Sequence, residues 1–335
     1  MKVLLSKLRI DPYIAAIVGM VALATILPAH GEGAVVARYV TQAAIALLFF
    51  LHGARLSPKE ALAGAWHWRL HVLVLASTFL LFPALGLAAR ALFPGFLPPA
   101  LWTGVILLCT LPSTVQSSIA FTSIARGNVP AALCAASASN LLGMGLTPLL
   151  VGLLLAGHGG FSLHGAIDIV VQLLLPFAAG QLARPWIGGW VLRNKKVLGL
   201  VDRGSILLVV YAAFSEGVTQ GIWRQLSLGD LGRLVVVDGL LLAAVLAITT
   251  YGSRLLGFNR ADEVTIVFCG SKKSLASGLP MTTVLMAGQP VGLLVLPLML
   301  FHQIQLMVCA SLANRYAAAS REAAARPVQE SAQPS

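Results

Sequence analysis

The sequence predicts an all-α polytopic membrane protein with ten transmembrane helices. Of its 335 residues, 58% are hydrophobic and only 10% are charged, whereas a soluble domain has about 25% charged residues. The apolar residues come in runs of about 18 to 25, which is the length that crosses a hydrocarbon core of about 30 Å as a helix. Short connectors rich in proline and glycine separate these runs.

Ten spans result when each apolar run is assigned to one helix. The N-terminus has the basic start and apolar run of a signal peptide, but no clear cleavage site follows, so an uncleaved first span is expected. The tail, residues 317–335, is polar; its EAAAR piece could extend the last helix, and the remainder is expected to be disordered. The predicted spans are 12–28, 38–55, 70–92, 101–125, 129–156, 166–184, 203–222, 233–256, 263–286 and 290–314.

The positions of the basic residues predict the orientation. Seventeen of the 23 Lys and Arg residues fall on one side of this ten-span arrangement and only four on the other. The positive-inside rule then puts both termini in the cytoplasm. Together with the Ala/Gly/Arg-rich composition, this predicts a multi-pass protein of a bacterial inner membrane. The four residues on the other side are Arg38, Arg90, Arg224 and Arg233.

The net charge of +11 does not indicate nucleic-acid binding, because the basic residues lie in connectors and do not cluster with aromatics. The lipid bilayer is the expected partner, and the sequence carries no indication of oligomeric state. The four cysteines lie inside predicted spans and are expected to be free, reduced thiols. They are Cys109, Cys134, Cys269 and Cys309.

The two halves of the chain, residues 12–156 and 166–314, have the pattern of an inverted five-helix repeat. Five spans in each half turn the second half upside down relative to the first. The segment CTLPSTVQSS aligns with CGSKKSLASG, and each lies in the fourth span of its half. The alignment pairs Cys109 with Cys269, Thr114 with Ser274 and Ser117 with Ser277.

The fourth span of each half is interrupted, by Leu111-Pro112-Ser113 in the first half and by Gly270-Ser271-Lys272-Lys273 in the second. Paired breaks in inverted halves indicate a transporter binding site. Free backbone groups in a membrane require protein or a water-filled cavity beside them, so the breaks are expected to meet near the midplane. A charge there costs from about 3 to more than 10 kcal/mol. The two lysines are therefore expected to face water, a substrate or a partner.

Three segments, LPSTVQSS, SIARGNVPAALCAASASN followed by LTPLL, and above all FCGSKKSLASGLPM, resemble the bile acid:sodium symporter superfamily, and most closely its bile-acid-symporter-like branch. The resemblance extends from residue 12 to about residue 314. It implies ten helices in two inverted five-helix repeats. It also implies that helices four and nine break and cross in a core domain, against a panel of helices one, two, six and seven, so that panel and core interleave the repeats.

The sodium ligands of that family are not retained at the matching positions. The family carboxylate falls on an aromatic residue, and two amide positions fall on the lysines. Because Na⁺ prefers about five or six oxygen ligands, by analogy with other hard cations, sodium coupling is in doubt. The matching positions are Ser117, Ser118, Ala132, Ala136, Phe268, Lys272 and Lys273.

These replacements predict that a lysine ammonium stands where the sodium ion stood. One lysine would offset helix C-terminal carbonyls at the crossover, and the other, about 100° further around the helix, could attract an anionic substrate. Burial beside a like charge favours proton loss, so H⁺ as well as Na⁺ is a candidate coupling ion. The alternative is that the lysines only lock the crossover. No other cofactor is expected.

Polar residues near the two breaks are the candidate substrate-binding groups, although serines also pack helices closely. His302 could shuttle protons or be satisfied by a neighbouring helix. Two acids within spans, Glu216 and Asp238, could partner a lysine or sit at an interface. Further polar candidates are Ser113, Thr114, Ser137, Ser139, Ser277 and Gln305. The predicted substrate-binding residues are Lys272, Lys273, Ser117, Ser118, Gln116, Asn140, Ser271, Ser274, Gln303 and His302.

The predicted function is secondary active transport, by alternating access, of a small organic solute that is expected to be an anion. One alternative is a membrane regulator of ion (Ca²⁺) homeostasis without net transport, and another is a sodium-coupled, bile-acid-like symporter with altered ligands. An intramembrane enzyme would need a nucleophile and a base. The sequence offers only a Ser–Lys pair for those roles and lacks HExxH, GxSxG and P-loop motifs, so a non-enzyme is expected.

Overall fold

The computed structural model describes residues 12–55, 67–155, 163–219, 221 and 226–325, and the regular structure within these ranges is helical. The helices in chain order are α1 (Pro12–Ile26), α2 (Glu32–Arg55), α3 (Trp68–Ala76), a π-helical segment (Ser77–Leu81), α4 (Phe82–Leu92), α5 (Pro99–Thr110), α6 (Val115–Ile124), α7 (Val129–Leu155), α8 (Leu163–Arg193), α9 (Lys195–Thr219), α10 (Leu228–Leu255), α11 (Arg260–Gly270), α12 (Leu275–Leu285) and α13 (Val291–Ala325).

Within the described residues, six helices are long and apolar enough to cross a membrane. The number becomes seven if α5 and α6, which are bent by 64° at a short break, count as one span. Large apolar side chains cover outward faces of these helices, as Val235, Val236, Leu240 and Ile248 do on α10. The predicted all-α membrane architecture is therefore confirmed. Described helices also lie at each of the ten predicted span positions.

The largest errors in the predicted boundaries concern α8 and α9. The sixth span was expected to end at residue 184, but α8 continues through Pro176 and Pro185 to Arg193. Prolines are tolerated in membrane helices, because neighbouring groups satisfy the carbonyls that they free. The helix α9 begins at Lys195 instead of residue 203. Its first turns carry charged residues, which lie outside the apolar run from which the span was predicted.

The last helix is also longer than its apolar part. It continues to Ala325, so the EAAAR piece extends the helix and part of the predicted tail 317–335 is helical. Residues 1–11 and 326–335 lie outside the described ranges.

The chain forms two compact units, and each unit draws on both halves of the sequence. All the predicted substrate-binding residues belong to the second unit. The first unit contains Met1–Arg55, Ser162–Ser227 and Leu279–Val295, and the second contains Leu56–Phe161, Leu228–Gly278 and Leu296–Ser335.

In the first unit, α2 and α8 pack backbone against backbone through two glycines. A Cβ atom on Gly53 would overlap the carbonyl oxygen of Phe177, and one on Gly180 would overlap the carbonyl oxygen of Phe50. Small residues that let backbones approach are typical of membrane helix interfaces. The reciprocal pair fixes the register between these two helices.

In the second unit, the connection between α6 and α7 docks on the start of α11. Arg126 adopts a left-handed backbone with φ of 59°, and a Cβ atom on Gly127 would lie 2.6 Å from Cγ1 of Val264. The side chain of Asn128 donates to Oδ1 of Asp262 at 2.9 Å and accepts from a backbone N–H in the first turn of α7. The Arg-Gly-Asn segment thus joins the first-half broken helix to the second-half one.

Replacing Gly180 by alanine is expected to lower the free energy of unfolding by about 1–3 kcal/mol, because the added methyl group meets a backbone that cannot move aside cheaply. The melting temperature of the purified protein in detergent measures the effect. The matched control is Gly189→Ala in the same helix, where a Cβ atom meets nothing within 4 Å. A Gly180→Ala protein as stable as the control would contradict this close packing.

Candidate functional site

Both predicted helix breaks are present within one residue of their predicted bounds, with Gly270 still inside α11, and they contact each other. The first break separates α5 from α6 at residues 111–114, and the second separates α11 from α12 at residues 271–274. The backbone N–H of Ser274 donates to the carbonyl oxygen of Pro112 at 2.9 Å. The backbone of one break therefore satisfies that of the other.

The two breaks exchange side-chain hydrogen bonds in a reciprocal way. Ser113 Oγ donates to the carbonyl oxygen of Cys269 at 2.6 Å, and Lys273 Nζ donates to the carbonyl oxygen of Cys109 at 2.7 Å. Each donor lies four residues after the cysteine of its own segment, so the bonds connect positions that the sequence alignment of the halves makes equivalent. In one half the donor is a hydroxyl, and in the other it is an ammonium.

Serine hydroxyls satisfy the last carbonyl groups of α11. Ser118 Oγ donates to Phe268 at 3.0 Å, and Ser77 Oγ donates to Gly270 at 3.0 Å. The carbonyl between these two is the Cys269 acceptor of Ser113. The last carbonyls of a helix have no intrahelical donor, and these three receive donors from three different elements.

The ammonium group of Lys273 satisfies the end of α5. Its Nζ atom donates to the carbonyl oxygens of Cys109 at 2.7 Å, Leu111 at 2.7 Å and Thr78 at 2.8 Å. The side chain is fully buried, and Nζ lies 4.2 Å from the centre of the Phe82 ring. Carbonyl oxygens only accept, and only the protonated amine has three N–H donors. The geometry therefore requires Lys273 to be an ammonium.

The carbonyl of Thr78 is available because of the π-helical segment. The N–H of Phe82, which would reach Thr78 in an α-helix, donates to the carbonyl of Ser77 instead. The next residue, Pro83, has no N–H. The carbonyl oxygen of Thr78 is thus a free acceptor inside the membrane region, and Lys273 donates a hydrogen bond to it.

Lys272 has different surroundings. Its Nζ donates to one carbonyl oxygen, that of Ser117, at 2.9 Å. It also lies 3.7 Å from the centre of the Phe121 ring and 5.6 Å from that of Phe268. Aromatic faces attract cations, so Lys272 is stabilised mainly by ring faces, whereas Lys273 is stabilised by oxygen atoms.

Two amide side chains fix the backbone at the breaks. Gln305 accepts from the N–H of Lys273 at 2.9 Å and donates to its carbonyl oxygen at 2.8 Å. Asn140 donates to the carbonyl oxygen of Ser113 at 2.6 Å and accepts from Ser277 Oγ at 2.7 Å. The amide from α13 holds the second break, and the amide from α7 ties the first break to α12.

The structure brings most of the predicted substrate-binding residues to the breaks, but not all in the same way. Ser271 and Ser274 are buried there, and His302 Nδ1 lies 2.8 Å from Nε2 of Gln305. Oε1 of Gln303 is buried without a hydrogen-bond partner among the described residues. Gln116 is exposed and contributes nothing to the contacts of the breaks described above.

Sequence reasoning missed several residues that complete this arrangement. Each of them acts at the breaks only by contacting a group on another element, either as a hydrogen-bond partner or as an aromatic ring beside an ammonium. Pro83 has no N–H and by α-helical spacing would free the carbonyl of Phe79. The free carbonyl of Thr78 depends on the π-helical segment instead, and the local sequence does not indicate it. The missed residues are Ser77, Thr78, Phe121 and Thr147, the last of which donates to the carbonyl of Thr110 at 2.8 Å.

A pocket of about 230 Å³ lies away from the breaks, at the start of α3 and the connection between α10 and α11. Its lining includes Arg69, Asn259 and Asp262 and none of the predicted substrate-binding residues. The predicted free cysteines are confirmed, since all four are free and buried.

Comparison with known proteins identifies similar sequences along nearly the whole chain. Residues 11–318 match the SBF-like CPA transporter family. The uncharacterized protein PA2026 of Pseudomonas aeruginosa is 57% identical, covering 94% of this chain and 95% of that protein. The "putative symporter YfeH" of Escherichia coli is 55% identical over 92% and 93%, and the sodium/bile acid cotransporter 7-B of Xenopus laevis is 27% identical over 91% of each chain.

Replacing Lys273 by methionine is expected to lower the free energy of unfolding by at least about 3 kcal/mol, because it leaves three buried carbonyls without this donor and each costs about 1–3 kcal/mol. The Lys272→Met change removes the donor of one carbonyl and is expected to cost about 1–3 kcal/mol. Melting temperatures without any added solute measure both. Equal losses would contradict the unequal roles of the two lysines.

Proposed function

Because this chain belongs to the SBF-like CPA transporter family, we propose that it is a secondary active transporter of a small organic anion, working by alternating access without sodium. The observation that carries the proposal is the Lys273 ammonium held by three carbonyl oxygens at the crossing of the broken helices. Helix C-termini carry partial negative charge, and this ammonium compensates it where a bound cation would otherwise be needed.

The residues near the lost sodium site oppose a sodium ion. The ring of Phe268 stands where the family resemblance places a carboxylate, and the hydroxyl of Ser118 already donates to the carbonyl of Phe268. Lys272, 5.6 Å from that ring, adds a like charge. Since hard cations prefer several oxygen ligands including carboxylate, we infer that the donor set does not fit Na⁺ and that H⁺ is the better candidate for coupling.

Lys272 is the lysine proposed to meet the anion. It has one carbonyl partner, at Ser117, and its ring contacts require no proton donor. Leaving this position breaks fewer hydrogen bonds than moving Lys273 would. A solute carboxylate or sulfonate would pair with the ammonium more strongly than a ring face does. Asn140 of α7 and Ser277 of α12, which bond each other beside the breaks, are proposed to orient the solute.

The finer topology belongs to the same proposal. We infer that all ten helical positions are membrane spans in two inverted repeats, with both termini in the cytoplasm of a bacterial inner membrane. The reciprocal bonds of Ser113 and Lys273 and the two units that interleave the halves support this arrangement.

The contacts of the lysines also bear on the enzyme alternative. A Ser–Lys dyad needs a serine hydroxyl within hydrogen-bond reach of the amine. Lys272 and Lys273 instead donate to backbone carbonyl oxygens, and the transporter family favours transport over catalysis.

A panel of organic anions tests the proposed solute class through protein melting with and without Na⁺. Bile acids belong in the panel because they are named in the vertebrate relatives. An anion at about 100 times its Kd is expected to stabilise the protein by about 2.7 kcal/mol without Na⁺. The Lys272→Gln change is expected to abolish the effect, because it removes the ammonium.

The control is Lys196→Gln, which alters an exposed lysine of the first unit and is expected to leave the response intact. Stabilisation that requires Na⁺ and survives Lys272→Gln would mean that the ion has found other ligands. A protein that no anion stabilises, and that gives no saturable flux in liposomes, would favour the regulatory alternative.

Reporter fusions test the orientation. A fluorescent protein fused after residue 335 is expected to fluoresce, because the excess of basic residues places that end in the cytoplasm. Alkaline phosphatase inserted near Gly95 is expected to be active, since that connector lies on the side with few basic residues. The reverse pattern would contradict the proposed topology.

A further inference from the structure

Asp238 is an acid in the apolar part of α10 that the proposed lysine site does not use. Its exposed fraction is 0%, and neither Oδ1 nor Oδ2 has a hydrogen-bond partner among the described residues. The surrounding sequence, LVVVDGLLLAAVL, offers no polar neighbour on the same helix. An aspartate that served only to cap or cross-link helices would have a partner, so a different role is required.

The absence of a donor from the part of the chain that the structure describes decides the charge of this carboxyl. A buried carboxylate without hydrogen-bond donors or a paired cation is far less favourable than the neutral acid, and such groups take up a proton instead. In a membrane-spanning helix, water is not available to compensate. The geometry therefore favours the carboxylic acid form of Asp238 in this conformation.

Among the described residues, no charged group on the elements around α10 donates a hydrogen bond to this carboxyl. The helix packs against α11, α4 and the π-helical segment, and the last of these carries no titratable side chain. Glu263 of α11 pairs with Arg254, which lies about 24 Å further along α10 than Asp238. At the start of α10, Asp230 pairs with Arg233. The remaining groups on the packed helices are Arg90 of α4 and Arg260, Asp262 and Cys269 of α11.

Cys109 connects Asp238 to the site already described. Its thiol interacts electrostatically with both Lys273 and Asp238, and a Cβ atom on Gly86 of α4 would lie only 2.7 Å from its Sγ. The carbonyl of the same cysteine accepts from Lys273. Cys109 is thus within electrostatic range both of this acid and of the buried ammonium at the helix crossing.

We propose that Asp238 is a proton-binding site of the second unit, occupied in this conformation, and that it is the site of the coupling proton. This rests on the proposed transport function. When the unit opens to water, the O–H bond of the acid breaks, the proton passes to a water molecule as H₃O⁺, and the carboxylate keeps the bonding electrons. Rebinding of a proton from the other side restores the neutral acid.

Infrared spectroscopy of the full-length protein, with ¹³C-carboxyl-labelled aspartate, tests occupancy without any solute. At neutral pH the wild type is expected to show the C=O stretching band of a protonated, labelled aspartic acid. The Asp238→Asn variant is expected to lose this band, and the matched Asp230→Asn variant, which alters a paired acid of the same helix, is expected to keep it. A wild-type spectrum without the band, or a band that persists in Asp238→Asn, would overturn the proposal.

Two further measurements keep the outcome decisive. If Asp238→Asn does not fold, Asp238→Glu removes the labelled acid while retaining a carboxyl, and loss of the labelled band gives the same assignment. In liposomes, uptake of an anion that stabilises the protein is expected to change the internal pH with the wild type and not with Asp238→Asn. A pH change that persists in the variant would refute coupling, whereas the infrared result stands independently of transport.

Discussion

Two helix C-termini meet inside the second unit, and this convergence is the constraint on which the surrounding structure depends. The ends of α5 and α11 both present carbonyl groups, in a region where water cannot satisfy them. The partial negative charges of the two ends add. Serine hydroxyls donate to the carbonyl groups at the end of α11, and the Lys273 ammonium donates to those at the end of α5. The two kinds of donor are not equivalent, because the ammonium also brings a full positive charge.

The two adjacent lysines have different partners because the side chains of adjacent residues point in different directions. Lys273 extends toward carbonyl oxygens and Lys272 toward the rings of Phe121 and Phe268. Gln305 holds the backbone between these two directions by bonding both peptide groups of Lys273. A neutral polar group could replace neither lysine in full, since only an ammonium has three donors and a ring face responds to charge.

Much of this could be predicted from sequence, because it depends on local chemistry. Pro112 lacks an N–H donor and Gly270 is a weak helix former, so each marks a place in an apolar segment where a helix can end, and paired lysines in such a segment require compensation. The partners could not be predicted, because they arrive from distant parts of the chain. Thr78 becomes an acceptor only through the local π-helical geometry, and it meets Lys273 across almost 200 residues.

Gln305, and not Gln303, bonds the backbone of the second break, and the sequence did not indicate which of the two would do so. Two residues along a helix turn a side chain by about 200°, and apolar patterning does not decide which face of α13 meets α11. Gln116 illustrates the opposite case. Its polarity and its position beside the break suggested a ligand, but the start of α6 turns it outward, where it is exposed.

A cation that is covalently part of the chain has a consequence for energetics. A dissociable ion occupies its site according to its concentration, whereas a tethered group has an effective concentration that dilution cannot lower. The ammonium of Lys273 therefore cannot be dialysed away, and the crossing of the helices stays compensated in any salt. A cation that never leaves the protein also cannot move down a concentration gradient across the membrane, so Lys273 cannot supply free energy for transport. The driving force for transport must come from a species that dissociates.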